Sequence, residues 1–396
     1  MVFTLNKFLA QKNIGLPKTF IASTDKLKKS RDEIIDLSLG DPNISTADFV
    51  IKKAARDVAK KHSGYAHPRG DVELRKKITE YYQNNYGVTV NKKEIMITVG
   101  ACHATFLALN AVLDPGDEVI IPSPYFTPYK RQVELAGGKP VFINLFEKEK
   151  FQINPDRLEN KINKNTKVIL INSPHNPTGI IQKPEIIETI SALALKYDLL
   201  LISDEVYGSF SYNNNFTSFL AQEKLKDNLI IVNSFSKIFA MTGWRVGFAS
   251  GPKKLLDIMQ EINEGVCFSA PSISQRAALK ALQHTTEITK NINYIFAKKM
   301  NYTWKRIKSC PLISCIKPDG AFYFYINISA TGMKSKIFAR KLLEKAGVLV
   351  LPGTDFGDTS NNYIRIACTI PKEKLTEAFD QLEVFIKNIK TGDINE

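Results

Sequence analysis

The 396-residue sequence predicts an α/β fold: a large domain with a doubly wound, mainly parallel sheet, followed by a smaller α/β domain. Three observations predict it. From about Asp41 to His284, short apolar runs rich in β-formers alternate with helical patterns. Several of these runs are apolar throughout, as strands covered on both faces are. Beyond a helix-rich stretch, Thr285–Ser309, the pattern changes to separate β segments with helical patterns between them. A chain of this length can also bury more than one core, so two domains are expected.

The elements follow in order. Lys52–Lys61 and Arg75–Tyr86 are amphipathic stretches studded with lysine and arginine. Glu94–Val99 reads as a strand, and Gly100-Ala101-Cys102 leads from it into a helix that begins near His103. Backbone N–H groups at such a helix start form an anion site, and Gly100 permits close approach of the backbone. Lys167–Asn172 is a buried strand that stops at Ser173-Pro174-His175-Asn176-Pro177-Thr178-Gly179. Leu199–Ser203 ends in Asp204-Glu205-Val206-Tyr207, and Asn228–Asn233 runs into Ser234. Ligands bind outside the C-terminal ends of strands in open α/β sheets. Three consecutive strand ends therefore offer Asn176, then Asp204 and Tyr207, then Lys237. In the C-terminal part, β segments are expected at Phe322–Ile328, Val348–Leu351 and Tyr363–Ala367, with helices at Lys334–Ala346 and Lys372–Lys390.

Ser234-Phe235-Ser236-Lys237, followed by Thr242-Gly243-Trp244-Arg245, carries the chemistry. A lysine that forms a Schiff base must reach a carbonyl while uncharged, which a partly desolvated, cation-rich pocket favours. Ser234, Ser236 and Arg245 are phosphate ligands in kind, and Arg245 can clamp two oxygens at once. Taken alone, the lysine could equally be a solvated surface charge; its surroundings decide.

With these pieces in order, the chain resembles a fold-type-I pyridoxal 5′-phosphate enzyme of the class I/II aminotransferase family, in the branch of bacterial aspartate and aromatic aminotransferases. The matching stretches run from Leu37 to Arg365: LSLGDPN, YAHPRGDVELR, TVGACHA, LDPGDEVIIPSPYF, NSPHNPTG, SDEVY, SFSKIFAMTGWRVGF and NYIRIA. The resemblance implies an aspartate aminotransferase-like large domain over residues 41–284, with the N-terminal arm (1–40) joining the small domain (285–396), which closes over bound substrate.

It also implies roles. Lys237 carries the cofactor covalently and later moves the proton at the substrate Cα. Asp204 pairs with the pyridine nitrogen, keeping the ring an electron sink; read without the motif, it is a helix N-cap after a strand. Asn176 and Tyr207 donate to the cofactor's ring oxygen, although Asn176 is also a turn residue and Tyr207 could be an ordinary amphipathic tyrosine. Gly100, Ala101 and Cys102 contribute to the phosphate site through backbone rather than side chains. The Cys102 thiol is read as packing, because no general-base partner stands in its motif. Phe126, where many relatives have tryptophan, stacks on the pyridine. Tyr65 reaches the phosphate of a neighbouring subunit, which makes a homodimer with shared sites. Arg365 grips the substrate α-carboxylate and Gly40 offers a backbone contact to it; on alternation alone, Arg365 could be a surface charge on a strand.

Aspartate-preferring members of the branch use a lysine on the helix after the phosphate loop. His103–Leu113 carries no lysine or arginine, and Asn110 is its only uncharged polar residue beyond Thr105. A broad or aromatic donor preference with 2-oxoglutarate as acceptor is therefore expected. Ile14-Gly15-Leu16-Pro17 resembles the segment that folds over the substrate in relatives.

The bulk properties add exclusions. The chain has 54 basic and 40 acidic residues, a net charge of +14. The lysines are scattered, and no basic-aromatic block marks a nucleic-acid partner. No opening apolar segment resembles a signal peptide and no apolar run is long enough to span a bilayer. The five cysteines, at 102, 267, 310, 315 and 368, form no metal pattern and are odd in number, so reduced thiols in a cytoplasm are expected. The catalytic set alone leaves β-elimination of sulfur amino acids, cyclisation or decarboxylation open, as well as a catalytically silent cofactor-binding module.

Overall fold

The structure is a computed structural model that describes residues 8–10, 14, 20–24, 33–213 and 215–391. Its centre is a seven-stranded sheet of order β2-β8-β7-β6-β5-β3-β4. The strands are β2 (Ile95–Thr98), β3 (Glu118–Ser123), β4 (Lys139–Asn144), β5 (Thr166–Asn172), β6 (Leu200–Asp204), β7 (Leu229–Ser234) and β8 (Gly247–Ser250). A short β1 (Ile35–Asp36) lies outside this sheet. Strands β4, β3, β5, β6 and β7 pair in parallel, while β8 runs antiparallel to both β7 and β2. All strands but β8 therefore point one way, and the doubly wound, mainly parallel sheet expected from the sequence is present.

The apolar runs are explained by cover on both faces. Along β5, Val168 and Leu170 join one hydrophobic cluster and Ile169 and Ile171 join the other. The helices of eight residues or more, in chain order, are α1 (Asp48–Ala59), α2 (Val72–Tyr86), α3 (Ala101–Val112), α4 (Pro128–Leu135), α5 (Pro184–Lys196), α6 (Lys253–Val266), α7 (Ser272–Gln283), α8 (Thr285–Ser309), α9 (Ser335–Ala346) and α10 (Lys372–Thr391). α3 and α6 cover one face through Ala104, Leu107, Leu256 and Met259, beneath Ile202, Ile230 and Val232. α1, α2, α5 and α7 serve the other face. α2 shows how local sequence sets an element: Asp71 caps its first turn by accepting from Glu73 and Leu74 N–H, and Gly87 ends it in the left-handed region at φ 68°. Arg276 of α7 then reaches Asp57, Asp71 and Glu73, fastening α1 and α2 together.

The C-terminal part holds β9 (Tyr323–Asn327), β10 (Val348–Leu349), β11 (Leu351–Pro352) and β12 (Tyr363–Ala367). The strands β11-β12-β9 form an antiparallel sheet, and β10 pairs in parallel with β1. One expected element differs here. The apolar run Val348–Leu351 is not one strand but two short ones in different sheets, with Val350 at the break. Both halves are buried, so hydropathy alone could not reveal the change of partner. The helix expected near His103 begins two residues earlier, at Ala101. No helix among the described residues is long and apolar enough to cross a membrane.

Candidate active site

The parallel strands deliver their last residues to one edge of the sheet. Asn172 of β5 stands opposite Asp204 of β6, and Asp204 stands opposite Val232 of β7. A cavity of about 490 Å³ opens over these ends. Its lining includes Asn176, Asp204, Tyr207, Ser234, Ser236, Lys237 and Arg245, as well as Gly40, Ala101, Cys102, Phe126 and Arg365. The structure thus brings together most of the sequence-derived set. Gly100 lies just behind the lining, against Arg245. Tyr65 is elsewhere on this chain: it is 88% exposed, with its ring edge-on to Phe268. Of the segment Ile14–Pro17, residues 15–17 lie outside the described residues.

Each functional side chain is held by its local turn. After β5, Asn172 accepts from the Asn176 N–H at 2.8 Å and donates to the Asp204 carbonyl at 2.9 Å. This folds the Pro-rich turn back over the sheet edge. After β7, the Ser234 hydroxyl accepts from the Ser236 N–H at 3.0 Å and lies 2.8 Å from the Ser236 hydroxyl. Lys237 follows on that turn, and its Nζ donates to the Gly40 carbonyl at 2.7 Å. Burial, helped by Arg245 and Arg365 and opposed by Asp41 and Cys102, lowers its pKa to about 8. A buried ammonium beside other cations gives up its proton more readily.

Asp204 is the buried acid of the site. The Tyr129 hydroxyl donates to its Oδ2 at 2.6 Å and the Val206 N–H to its Oδ1 at 3.1 Å. Burial raises its pKa to about 6, against the pull of Tyr129, Val206 and Lys237. Arg365 of β12 is buried as well. It donates to Asn176 Oδ1 at 3.1 Å and to the Ser38 carbonyl, and its guanidinium lies between the rings of Tyr323 at 4.6 Å and Phe356 at 5.0 Å. Its Nε has no hydrogen-bond partner, and burial lowers its pKa. At the other end, Gly100 precedes α3 with φ +80°, and a Cβ built there would come 2.9 Å from Arg245 Nη2. Glycine lets that guanidinium sit against the helix start, where the first N–H groups are free to meet an anion.

Two residues of the site were not read from the sequence. Tyr129, on α4, is the donor to Asp204, and Tyr323, on β9, places its hydroxyl 2.7 Å from that of Tyr207. Nothing in SPYFTPY or GAFYF distinguishes these tyrosines from core ones, because their partners lie 75 and 116 residues away.

The helical side of the cavity is different in kind. Cys102, Thr105, Phe126, Thr127 and Gln132 line it. Gln132 donates to the Cys102 carbonyl at 2.8 Å, and Phe126 packs edge-on to Tyr129. Burial raises the Cys102 pKa, which keeps the thiol protonated. Among the described lining residues, the cations are Lys237, Arg245 and Arg365, and none of the three lies on α3 or α4.

Comparisons with known proteins agree with this arrangement. Residues 32–382 match the family described as aminotransferase class I and II. An aspartate aminotransferase of Pyrococcus horikoshii is 36% identical over 97% of this chain and 98% of its own length. The aromatic-amino-acid aminotransferase 2 of Thermococcus litoralis is 34% identical over 92% of this chain and 94% of its own. Among solved structures, the aromatic aminotransferase of Pyrococcus horikoshii superposes with a TM-score of 0.88 at 34% identity, covering 92% of this chain and 98% of that one. Aspartate aminotransferase from Thermus thermophilus with maleate gives 0.87 at 32% identity, covering 93% and 97%. Relatives of this kind do not favour a β-lyase or a silent binding module. The chain belongs to the class I and II aminotransferase family and is an aminotransferase.

Proposed function

We propose that the chain is a pyridoxal 5′-phosphate-dependent amino-acid:2-oxo-acid aminotransferase with a broad or aromatic donor preference and 2-oxoglutarate as acceptor. One observation carries the reading. Lys237, Arg245 and Arg365 face a single cavity whose lining also holds the buried Asp204 and the half-buried Asp355, and none of the three forms an ion pair among the described residues. Unpaired cations in a partly desolvated site call for anionic ligands. A phosphate fits at Arg245, Ser234, Ser236 and the start of α3, and a carboxylate fits at Arg365, whose Nε is an unused donor. The residues present therefore suit the cofactor. Bound there, it would supply an electron sink for the carbanion left when the substrate loses its α-proton.

The chain's own groups do the rest. Lys237 Nζ attaches the cofactor and, once freed as an amine, takes and returns the proton at the substrate Cα. Its lowered pKa leaves a useful neutral fraction near pH 8. The Asp204 carboxylate holds a proton on the pyridine nitrogen, and that positive charge in turn favours its ionised form. Asn176 and Tyr207 serve the ring oxygen, and Phe126 offers a flat face to the ring. Arg365, with the Gly40 backbone, grips the α-carboxylate and orients the Cα–H. The neutral wall of Cys102, Thr105, Phe126 and Gln132 supports apolar or mixed donor side chains over a strict dicarboxylate preference.

The proposal extends to organisation. Residues 41–284 form the cofactor domain, and 1–40 with 285–396 form the smaller one, a division that the pairing of β1 with β10 supports. Exposed Tyr65, Val266, Phe268 and Ile273 support a homodimer in which Tyr65 serves the partner's phosphate site. Five free cysteines fit a cytoplasmic protein. The test is an absorbance spectrum of the protein loaded with pyridoxal phosphate. A yellow band should fade with a suitable amino acid and return with 2-oxoglutarate. A protein that takes up no pyridoxal phosphate contradicts the proposal.

A further inference from the structure

Tyr323 has no part in the roles above, yet it touches several of the groups that do. It opens β9 and is 2% exposed. Its hydroxyl is 2.7 Å from the Tyr207 hydroxyl. Its ring centroid is 4.6 Å from the Arg365 guanidinium. Strand pairing sets that contact: Tyr325 stands directly opposite Arg365, so Tyr323, two residues away, is its diagonal neighbour on the same sheet face. The hydroxyl also packs against Gly40, where an added Cβ would fall 2.1 Å from the Tyr323 oxygen. Gly40 is the residue whose carbonyl accepts from Lys237. One phenol therefore joins the surroundings of Tyr207, Arg365 and Lys237.

We propose that Tyr323 is a positioning residue for transamination: it donates to Tyr207 Oη and forms a ring platform for Arg365, coupling the carboxylate grip to the tyrosine that serves the cofactor. The assignment rests on the roles proposed for Tyr207 and Arg365. Its direction follows from proton counting. Each phenol has one proton. Tyr207 must spend its own on the cofactor oxygen, so the hydrogen bond between the two hydroxyls then takes its proton from Tyr323. A hydroxyl that accepts a hydrogen bond becomes a stronger donor, which sharpens Tyr207. The ring face meanwhile offsets part of the desolvation of the buried Arg365 cation without neutralising it, leaving its charge for the substrate. An aspartate or glutamate in that place would neutralise the charge that the carboxylate needs.

The two parts of the role separate by substitution. Holoenzyme is titrated with pH, following the visible band, for wild type, Tyr323→Phe, Tyr207→Phe and the double variant. Binding of the unreactive 3-phenylpropionate is measured on the same proteins and on Tyr323→Leu. Tyr323→Phe should raise the spectral midpoint by about half a unit, roughly a threefold change in proton affinity, and leave 3-phenylpropionate binding little changed. Tyr323→Leu should weaken that binding about tenfold, within the range of a desolvated cation–π contact. The double variant should titrate like Tyr207→Phe alone, since the hydroxyl acts through Tyr207. An unchanged midpoint in Tyr323→Phe, or shifts that simply add in the double variant, overturns the coupling. Unchanged 3-phenylpropionate binding in Tyr323→Leu overturns the platform. Those failures leave the wild-type titration intact. A wild type that takes up no pyridoxal phosphate removes the underlying reading and this proposal with it.

Discussion

The two walls of the cavity are built on opposite terms. On the strand-end wall, Asp204, Asn176 and Arg365 are buried and cross-braced, each by at least two hydrogen bonds to named partners. Asp204 and Arg365 hold charge where burial opposes it. On the helical wall, Cys102, Thr105, Phe126 and Gln132 are neutral. The difference teaches where reaction and selectivity reside. On the proposed reading, the braced wall stores unfavourable electrostatics that ligands of opposite charge relieve, and so it defines the reaction. The neutral wall has little to lose by substitution, so it can define the donor.

The largest effect should come from the braced wall. Lys237→Ala should lower transamination by at least about 10⁴-fold, because attachment and proton transfer are lost together. Retained circular dichroism with no visible band would show that the loss is chemical. Covalent capture of an aldehyde by wild-type Lys237 should rise with pH to a midpoint near 8. The neutral amine is the reacting form, so the rate falls as pH drops through that value. A midpoint near the ordinary lysine value would show that burial does not tune this residue.

Arg365→Leu comes next. It should cut kcat/KM for amino acids by about 10²–10³-fold, the scale of a broken buried charge pair. Amines lacking a carboxylate should lose much less. An equal loss for both would mean that Arg365 supports structure rather than the carboxylate.

Asp204→Asn tests the stored electrostatics. The folded pKa, about 6, lies above the ordinary aspartate value of 3.8. The stabilising form is thus the protonated one, favoured below about 4 and lost as pH rises through 6. Above pH 7 the ionised Asp204 should cost cofactor-free protein about 3 kcal/mol. Cofactor-free Asp204→Asn should therefore resist urea better than wild type at pH 8, by up to that amount, and the gap should narrow at pH 5. Equal stability at pH 8 would mean that the site solvates this carboxylate without cofactor.

These contrasts also mark what could be read in the sequence. The braced wall was legible because strand ends are. Apolar runs stopping at Asn172, Ser203 and Asn233 announced doubly covered strands, and the residues just beyond were placed together by topology. Pairings made across the fold were not legible. Nothing local marks Tyr129 or Tyr323, since a hydroxyl's partner 75 or 116 residues away leaves no periodic trace. The Ser38 carbonyl that accepts from Arg365 is backbone, silent in any sequence. Val348–Leu351 read as one strand because both halves are equally apolar, while the switch between sheets at Val350 is a tertiary event.

The smallest substitution effect should come from the neutral wall, where it bears on donor choice alone. Cys102→Lys should raise kcat/KM for aspartate relative to phenylalanine by about tenfold, the scale of one new, partly solvated charge contact.

The division between the walls is tested most directly by the ratio of kcat/KM for phenylalanine to that for aspartate, measured on wild-type holoenzyme with 2-oxoglutarate as acceptor. The neutral wall predicts a ratio above one. Rapid turnover of aspartate with rejection of phenylalanine would contradict it, and would place the donor's selectivity outside Cys102, Thr105, Phe126 and Gln132.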